Sequence, residues 1–246
     1  MHAWTIDILL QLLYDETRKH CNGGDDLAVI AVGGYGRGEM APYSDIDIMI
    51  LMPKNSNDSN TKFIEFMLYI LWDLGLKVGH STRSISEAIA AARDDQTVLT
   101  SLLEMRYVAG DESLWTKLAR TVQREIGKQK PLVFVEEKLA ERDVRHKRFG
   151  DTRYVVEPNV KDGKGGLRDL HSLFWIAKYA YRANSIVDIV KQGVLRDGEA
   201  RKFALAQRFL WTVRCHLHLF AGRAEERLDF EGQMVIAPLM GFSDRG

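Results

Sequence analysis

Two aspartates that stand two residues apart are the side chains in this sequence best suited to catalysis. Asp45 and Asp47 lie in the run SDIDIMIL, whose first half alternates polar and apolar residues as a strand does. Strand side chains alternate between faces, so the two carboxylates should share one face, about 7 Å apart, while Ile46 and Ile48 point into the core. Two like charges at this distance repel each other. A pair of Mg²⁺ ions would neutralise them and hold a nucleoside triphosphate.

A glycine-rich turn precedes this pair and adds a candidate phosphate site. Gly33 and Gly34 open the stretch GGYGRG, directly after the apolar run at 27–32. Glycines allow close approach to the backbone, and N–H groups near a helix start can bind phosphate. Arg37 and the hydroxyl of Ser44 would add donors. Each motif alone is common as a turn or as a solvated strand edge, but the two together favour a nucleotide site.

Other nucleotide-binding motifs match the sequence poorly. The dinucleotide fingerprint GxGxxG, started at Gly34, has Glu39 at its third glycine position. The Gly-Lys-Ser/Thr triplet of a P-loop does not follow the glycines. The HRD and DFG triplets of protein kinases are also absent from the sequence. These three classes are therefore disfavoured.

Periodicity predicts that a small α/β region positions these motifs and that helices follow it. The predicted strands cover 27–32, 44–51 and 76–84, and the predicted helices cover 4–20, 61–74, 86–93, 97–108, 112–126, 132–147, 168–182 and 198–221. A polar, Gly-rich loop is predicted over 150–166. We place a domain boundary near residue 110. Residues 1–110 are expected to hold the metal site, and 111–246 to form an all-α domain that closes the nucleotide cleft.

Composition limits the partners and the compartment. The 246 residues include 34 Lys plus Arg and 34 Asp plus Glu, so the formal net charge is zero, whereas nucleic-acid-binding domains are usually basic. Two cysteines far apart indicate neither a disulfide framework nor a zinc cluster. The start of the chain does not resemble a signal peptide, and no run approaches the ~20 apolar residues that span a bilayer. We expect a cytoplasmic protein with no nucleic-acid or membrane partner.

The Gly-Gly turn followed by Ser-Asp-x-Asp on the next strand resembles the DNA-polymerase-β-like nucleotidyltransferase superfamily. Within it, the chain is similar to the bacterial PII uridylyltransferase/uridylyl-removing enzymes. Four stretches carry this closer resemblance in the same order, and they are GGYGRGEMAPYSDIDIMIL (33–51), LWDLGLKVGHSTRSI (71–85), TVLTSLLEMRYVAGD (97–111) and EPNVKDGKGGLRDLHSLFWIA (157–177). The resemblance implies an α/β (α+β) nucleotidyltransferase domain with a small mixed sheet, followed by a helical domain.

It also implies an activity, namely Mg²⁺-dependent transfer of UMP from UTP to a tyrosine of the PII nitrogen-regulatory protein, with release of pyrophosphate. The chain would be an N-terminal fragment, because the family continues into a His-Asp phosphohydrolase domain and glutamine-sensing ACT domains. The sequence has no His-Asp dipeptide, so neither uridylyl removal nor glutamine sensing is expected. Two alternative functions stay open, since no residue in the sequence identifies the base of the nucleotide. They are an adenylyltransferase acting on another protein or a small molecule, and a non-catalytic regulatory module that binds nucleotide.

The resemblance suggests further site residues. A third carboxylate usually completes the superfamily's metal site, yet 77–84 contains no Asp or Glu. Glu104 is a candidate, and a surface glutamate paired with an arginine is the alternative. Lys161 and Arg168, in and after the Gly-rich loop, are expected to reach the triphosphate or the base, with a solvated turn as the alternative. The expected nucleotide-binding residues are thus Gly33, Gly34, Arg37, Ser44, Lys161 and Arg168.

Overall fold

The computed structural model of the chain describes residues 3–55, 57–126, 130–150, 154–183 and 185–243. The chain divides into two compact units. Unit 1 consists of Met1–Met40 and Ser44–Lys128, and unit 2 consists of Ala41–Tyr43 and Gln129–Gly246. The chain therefore leaves unit 1 for three residues and returns to it directly before the two aspartates.

Unit 1 is built on a four-stranded sheet. Its strands are β1 (Ala28–Ala31), β2 (Ile46–Leu51), β3 (Val78–Arg83) and β4 (Arg106–Gly110). The helices described in this unit are α1 (Ala3–His20), α2 (Gly33–Gly36), α3 (Asp58–Asp73), α4 (Ile85–Asp94), α5 (Gln96–Leu103) and α6 (Glu112–Ile126). The strand order is β3-β2-β1-β4. Strand β1 is antiparallel to β2 and β4, whereas β2 and β3 are parallel, so the predicted small mixed sheet is confirmed.

Burial in unit 1 follows the hydrophobic pattern of the strands. Every residue of β1 is buried, as its continuous apolar run predicts. Ile46 and Ile48 of β2 join a core cluster with residues of α1 and α3. On the opposite face Met49 is buried as well, and helix α4 contacts β3 while α6 contacts β1 and β4. Asp47 is therefore a half-buried polar residue in an otherwise buried strand.

Side-chain caps begin the helices that follow β2 and β3. Asn57 accepts a hydrogen bond from the backbone N–H of Asn60 at the start of α3. Ser84 and Glu87 form a capping box at the start of α4, one residue after β3 ends. Such caps satisfy backbone donors that a helix start leaves unpaired. They fix where the chain turns away from the sheet.

One predicted element is wrong in its second half. The helix predicted over 97–108 ends at Leu103, and Arg106–Gly110 form strand β4. The segment pairs with β1, and its Val108 packs into the core of unit 1. Pairing with a distant strand thus overrode a local helical pattern. The short helix α2 was not predicted either.

The first unit also extends further than the boundary placed near residue 110. Helix α6, which has the predicted bounds 112–126, packs on α4 and on the sheet through β1 and β4. Unit 1 accordingly runs to Lys128. The predicted boundary separated the strand-containing part of the chain from the helical part. It therefore excluded α6 from the first unit, although this helix packs on the sheet.

Unit 2 is helical throughout its described residues apart from loops and one isolated bridge, as predicted. Its helices are α7 (Pro131–Arg148), α8 (Leu167–Tyr181), α9 (Ile186–Lys191), α10 (Asp197–Ala221) and α11 (Phe230–Leu239). Helices α9 and α11 were not predicted. Val160, in the loop that precedes α8, packs with residues of α10 and α11 in one core cluster. Of the helices in the described ranges, none has the length and apolar character needed to cross a bilayer.

Candidate nucleotide and metal site

The carboxylate of Asp47 lies in a space that two glycines leave open. Asp47 on β2 is paired in parallel register with Gly79 on β3. A Cβ atom on Gly79 would lie 2.6 Å from Asp47 Oδ1, and one on Gly33 would lie 3.3 Å from Asp47 Oδ2. Gly33 also has φ +57, a backbone region that favours glycine. The structure thus brings together Asp47 and the start of the predicted phosphate-binding turn, with Gly79 as a partner that the sequence did not single out.

The Gly79 contact yields a testable prediction. We expect Gly79→Ala to lower kcat/KM for nucleotidyl transfer by about 100-fold, because a carboxylate displaced by roughly 1 Å can cost that much. Stability should change little, since the added methyl group meets only the end of a flexible side chain. Steady-state kinetics and thermal melts would measure both effects. Thr82→Ala, an exposed change on the same strand, is the control, and an unchanged kcat/KM in Gly79→Ala would contradict the prediction.

A partly buried polar cluster anchors the glycine turn to its neighbours. Tyr35, within the short helix α2, is buried and donates its hydroxyl to Asp7 Oδ1 at 2.6 Å. Arg106 of β4 binds the same carboxylate through two hydrogen bonds of 2.8 and 3.0 Å. Burial and the bond to Asp7 raise the pKa of Tyr35, so its hydroxyl stays a neutral donor. The cluster connects α1, α2 and β4, and sequence reasoning missed it because the three residues are far apart in the chain.

A second ion-paired cluster involves two predicted site residues, Arg37 and Glu104. Arg37 Nη1 lies 2.5 Å from Glu104 Oε2, and Arg37 Nε lies 2.9 Å from Glu39 Oε2. Burial alone would lower the pKa of Arg37, but the two carboxylates outweigh it and raise the pKa above its ordinary value. Glu104 is buried at the end of α5, and its backbone carbonyl would lie 2.2 Å from a Cβ atom on Gly36. The glycine turn therefore packs directly against this residue.

These contacts define what Arg37 and Glu104 do within unit 1. The guanidinium holds a buried carboxylate beside the turn, an arrangement in which removing either partner would leave a buried charge uncompensated. Glu104 is thus paired with an arginine, as its alternative interpretation proposed, but it is buried rather than on the surface. Contact of Arg37 with phosphate and of Glu104 with a metal ion stay predictions.

Asp45 and Ser44 stand at the entrance to β2 rather than inside it. Asp45 directly precedes the first strand residue and is exposed, whereas Ser44 is half-buried. Mg²⁺ keeps several waters and is often bound through one or two carboxylates plus substrate phosphates. Binding of Mg²⁺ by Asp45 and Asp47 stays a prediction. Groups of three or more His, Cys, Asp or Glu side chains able to hold a metal ion are not found in the part of the chain that the structure describes.

Lys161 and Arg168 belong to unit 2, where both make ion pairs. Lys161 Nζ lies 3.8 Å from Glu226 Oε1, and Arg168 Nε lies 3.3 Å from Asp162 Oδ1. The guanidinium of Arg168 also lies 5.8 Å from the ring centroid of Trp175. These contacts hold the start of α8 and the end of the Gly-rich loop. Contact of the two cations with nucleotide stays a prediction.

The loop that carries Lys161 has a defined structure. The side chain of Asn159 accepts hydrogen bonds from the backbone N–H groups of Lys161 at 3.1 Å and Asp162 at 2.6 Å. A Cβ atom on Gly166 would lie 2.9 Å from the backbone oxygens of Lys161 and Val160, so the loop is tightly closed there. Val160 itself is buried. The loop is therefore tightly closed between Asn159 and Gly166, whereas residues 154–156 are exposed.

Glu226 is the centre of a charge cluster that sequence reasoning did not identify. Arg214 of α10 binds its carboxylate with Nε and Nη2, at 2.6–3.0 Å. His218 is fully buried, with Nε2 3.5 Å from Glu226 Oε1, and its Nδ1 contacts the carbonyl oxygen of Pro42. Burial would raise the pKa of Glu226, but hydrogen bonds from His218 and Arg214 and the charges of Arg214 and Lys161 lower it to about 2. Because 3.5 Å is long for a hydrogen bond, we attribute more of this effect to Arg214.

Two family models match the chain. A model described as a nucleotidyltransferase domain matches residues 15–102, which include the glycine turn, Asp45 and Asp47. A model described as GlnD PII-uridylyltransferase matches residues 133–246, within unit 2. Together, the two models match residues in both units of the chain.

Curated relatives are similar over nearly the whole chain. The chain is 51% identical to the bifunctional uridylyltransferase/uridylyl-removing enzyme of Rhodospirillum rubrum, over 98% of the chain and 26% of that protein. It is 52% identical to the enzyme of the same name from Azospirillum brasilense, over 99% of the chain and 27% of that protein. The chain thus spans about a quarter of the length of the relatives it matches. The chain is thus similar to these enzymes over nearly its whole length, and its residues 15–102 match the nucleotidyltransferase domain model.

Proposed function

We propose that the chain catalyses Mg²⁺-dependent transfer of UMP from UTP to a tyrosine hydroxyl of a PII signalling protein, with release of pyrophosphate. The observation that carries the proposal is the carboxylate of Asp47, seated between Gly33 and Gly79 beside a glycine turn, with Asp45 two residues away. The names of the relatives support uridylyl as the transferred group. We also propose that the protein works in the cytoplasm.

The residues of unit 1 have distinct roles in this proposal. Asp45 and Asp47 hold the metal, and the backbone of Gly33 and Gly34, with the hydroxyl of Ser44, binds the triphosphate. Bound Mg²⁺ would neutralise phosphate charge and ease ionisation of the acceptor hydroxyl. That help is chemically needed, because a tyrosine hydroxyl has an ordinary pKa near 10.

The reaction is an in-line displacement at the α-phosphorus. The acceptor oxygen forms a bond to phosphorus and its proton is released to water, while the bond to the bridging oxygen breaks and pyrophosphate leaves with the electron pair. Seating Asp47 on a strand that is hydrogen-bonded on both sides keeps its carboxylate in place during this exchange.

The test is a pyrophosphate-release assay with UTP or ATP, in the presence and absence of a PII protein. Release that requires both UTP and PII, together with a mass increase of one uridylyl group on PII, would support the proposal. Release with ATP and another acceptor would favour an adenylyltransferase. Nucleotide binding without any release would indicate a regulatory module, and either result would overturn the proposal.

A further expected result concerns Lys161 and Arg168, which we propose also contact the nucleotide. Lys161→Ala and Arg168→Ala should each weaken use of UTP by about one to two orders of magnitude, since charge-assisted bonds to phosphate contribute roughly 1.5–3 kcal/mol. Steady-state kinetics would give KM and kcat, with the exposed Lys191→Ala as control. Because both cations also make ion pairs in unit 2, thermal melts must accompany the kinetics. Lower melting temperatures with unchanged kinetic constants would limit both residues to a structural role.

A further inference from the structure

A tight turn at residues 41–44 leads the chain directly to Asp45. The backbone turns at Pro42 and Tyr43, and Tyr43 has φ +62 although it is not a glycine. A proline in the second position of a turn and a positive φ in the third are the pattern of a type II turn, in which glycine normally fills the third position. The turn therefore holds a tyrosine in a sparsely populated conformation two residues before Asp45.

One buried histidine holds the conformation of this turn. Nδ1 of His218, on α10, is hydrogen-bonded to the carbonyl oxygen of Pro42. A carbonyl oxygen can only accept, so Nδ1 carries the proton and donates. The bonded carbonyl belongs to the peptide group between Pro42 and Tyr43, and the orientation of this group distinguishes a type II turn from a type I turn. The bond therefore keeps Tyr43 in its left-handed conformation.

Neighbouring residues of unit 2 fix the ring of His218 in one orientation. His218 is fully buried, and Leu217 next to it packs in a core cluster with Val160. Nε2 of His218 lies 3.5 Å from Glu226 Oε1, and Arg214 binds the same carboxylate with two of its nitrogens. The backbone oxygen of Glu226 also accepts from the N–H of Val160 at 2.8 Å. A ring held in this way is preorganised to donate to a single carbonyl.

Asp45 depends on the turn because the sheet does not hold its backbone. Strand β2 begins only at Ile46, and Asp45 is exposed. Residues Ala41–Tyr43 belong to unit 2, as His218 does. Ser44 and Asp45 are thus the two residues between the anchored turn and the paired strand. The direction in which the chain leaves the turn therefore affects where the Asp45 carboxylate lies.

We propose that His218 is a positioning residue for nucleotidyl transfer. By holding the peptide group between Pro42 and Tyr43, it fixes the backbone that presents the carboxylate of Asp45. This inference rests on the proposed role of Asp45 in the reaction. His218 acts through the backbone and does not itself contact the reacting groups. Its loss should still lower the rate, because a displacement of a catalytic group by about 1 Å can cost about 100-fold.

Two substitutions separate the roles of the two ring nitrogens. The amide of asparagine can place an N–H where Nδ1 donates to Pro42, whereas the longer glutamine places it where Nε2 faces Glu226. His218→Asn should therefore keep kcat within about three-fold of the parent, and His218→Gln should lower kcat by about ten-fold or more with little change in KM for UTP. His216→Gln, at a half-buried position on the same helix, is the control and should change neither constant.

A second change tests the turn itself. Glycine adopts a positive φ without strain. Tyr43→Gly should therefore restore most of the kcat that His218→Gln loses, whereas a loss caused by altered packing around α10 would persist. Hydrogen–deuterium exchange followed by mass spectrometry needs no transfer reaction. Residues 41–45 should exchange about ten-fold faster in His218→Gln than in His218→Asn, and residues 46–51 should not change.

Several results would overturn the proposal. These are equal losses of kcat in His218→Asn and His218→Gln, no restoration by Tyr43→Gly, or unchanged exchange at 41–45 in His218→Gln. A His218→Gln variant that fails to fold even with Tyr43→Gly would assign the histidine to stability alone and would also reject the proposal. A parent chain without transfer activity would reject the proposed function instead. The exchange measurement would then still decide whether His218 holds the turn.

Discussion

Replacing either Asp45 or Asp47 by asparagine is expected to abolish nucleotidyl transfer while the protein stays folded. Each change removes one anionic oxygen ligand and keeps the shape of the side chain. The loss of metal-assisted charge stabilisation, several kcal/mol in magnitude, corresponds to roughly a thousand-fold or more in rate. Pyrophosphate release from UTP with a PII protein at saturating Mg²⁺ would measure it.

A matched control separates this effect from a general change of charge. Asp94→Asn alters an exposed aspartate at the end of α4 and should leave the rate unchanged. Binding of Mn²⁺, followed by its electron paramagnetic resonance signal, gives a second readout and should weaken only in the Asp45 and Asp47 variants. Near-normal transfer by either of these two variants would reject the metal assignment.

Loss of the Glu226 carboxylate is expected to destabilise unit 2 strongly. In the folded protein the pKa of Glu226 is lowered from 4.5 to about 2, which corresponds to about 3 kcal/mol of stability near neutral pH. A carboxyl group with a lowered folded pKa stabilises the fold above its unfolded pKa. This contribution should therefore be complete above pH 4.5 and decline as the pH falls towards 2.

Glu226→Gln tests this dependence. The variant should lose about 3 kcal/mol at pH 7, where it leaves Arg214 without its carboxylate partner, and less than half of that at pH 3. Urea unfolding followed by circular dichroism at pH 7 and pH 3 would measure the difference. Glu231→Gln, at an exposed position in the first turn of α11, is the control. An equal destabilisation at both pH values would show that the charge of Glu226 is not the cause.

The parts of the fold that follow from local pattern could be predicted from the sequence. The continuous apolar run before Gly33 gave β1, and the alternation around Asp47 gave both the position of β2 and the face on which Ile46 and Ile48 lie. Helix α6 has the bounds that its periodicity predicts. In each case neighbouring residues along the chain determine the element, and the fold agrees with their preference.

The parts that depend on distant residues could not be predicted in the same way. Strand β4 exists because it pairs with β1, which lies far earlier in the chain. The Arg37–Glu104 ion pair joins residues 67 apart in sequence, and the Asp7–Arg106 pair joins residues 99 apart. A single sequence carries no sign of such partners, because an isolated Arg or Glu looks the same whether it is solvated or paired. Gly79 is a similar case, because only the register between β2 and β3 places it opposite Asp47. The absence of a side chain at Gly79 leaves space for the Asp47 carboxylate.

The two aspartates of the site differ in how they are attached to the fold. Asp47 lies on an interior strand with neighbours on both sides, so its backbone moves only when the sheet opens. Asp45 lies before the first strand residue, and only Ser44 separates it from a segment that belongs to the other unit. The sheet therefore holds the backbone of Asp47 on both sides, whereas Asp45 lies outside the paired strand. We therefore expect any motion that changes the spacing between the two carboxylates to involve the backbone at Asp45. An NMR relaxation experiment should find exchange broadening at the amide of Asp45 and none at the amide of Asp47.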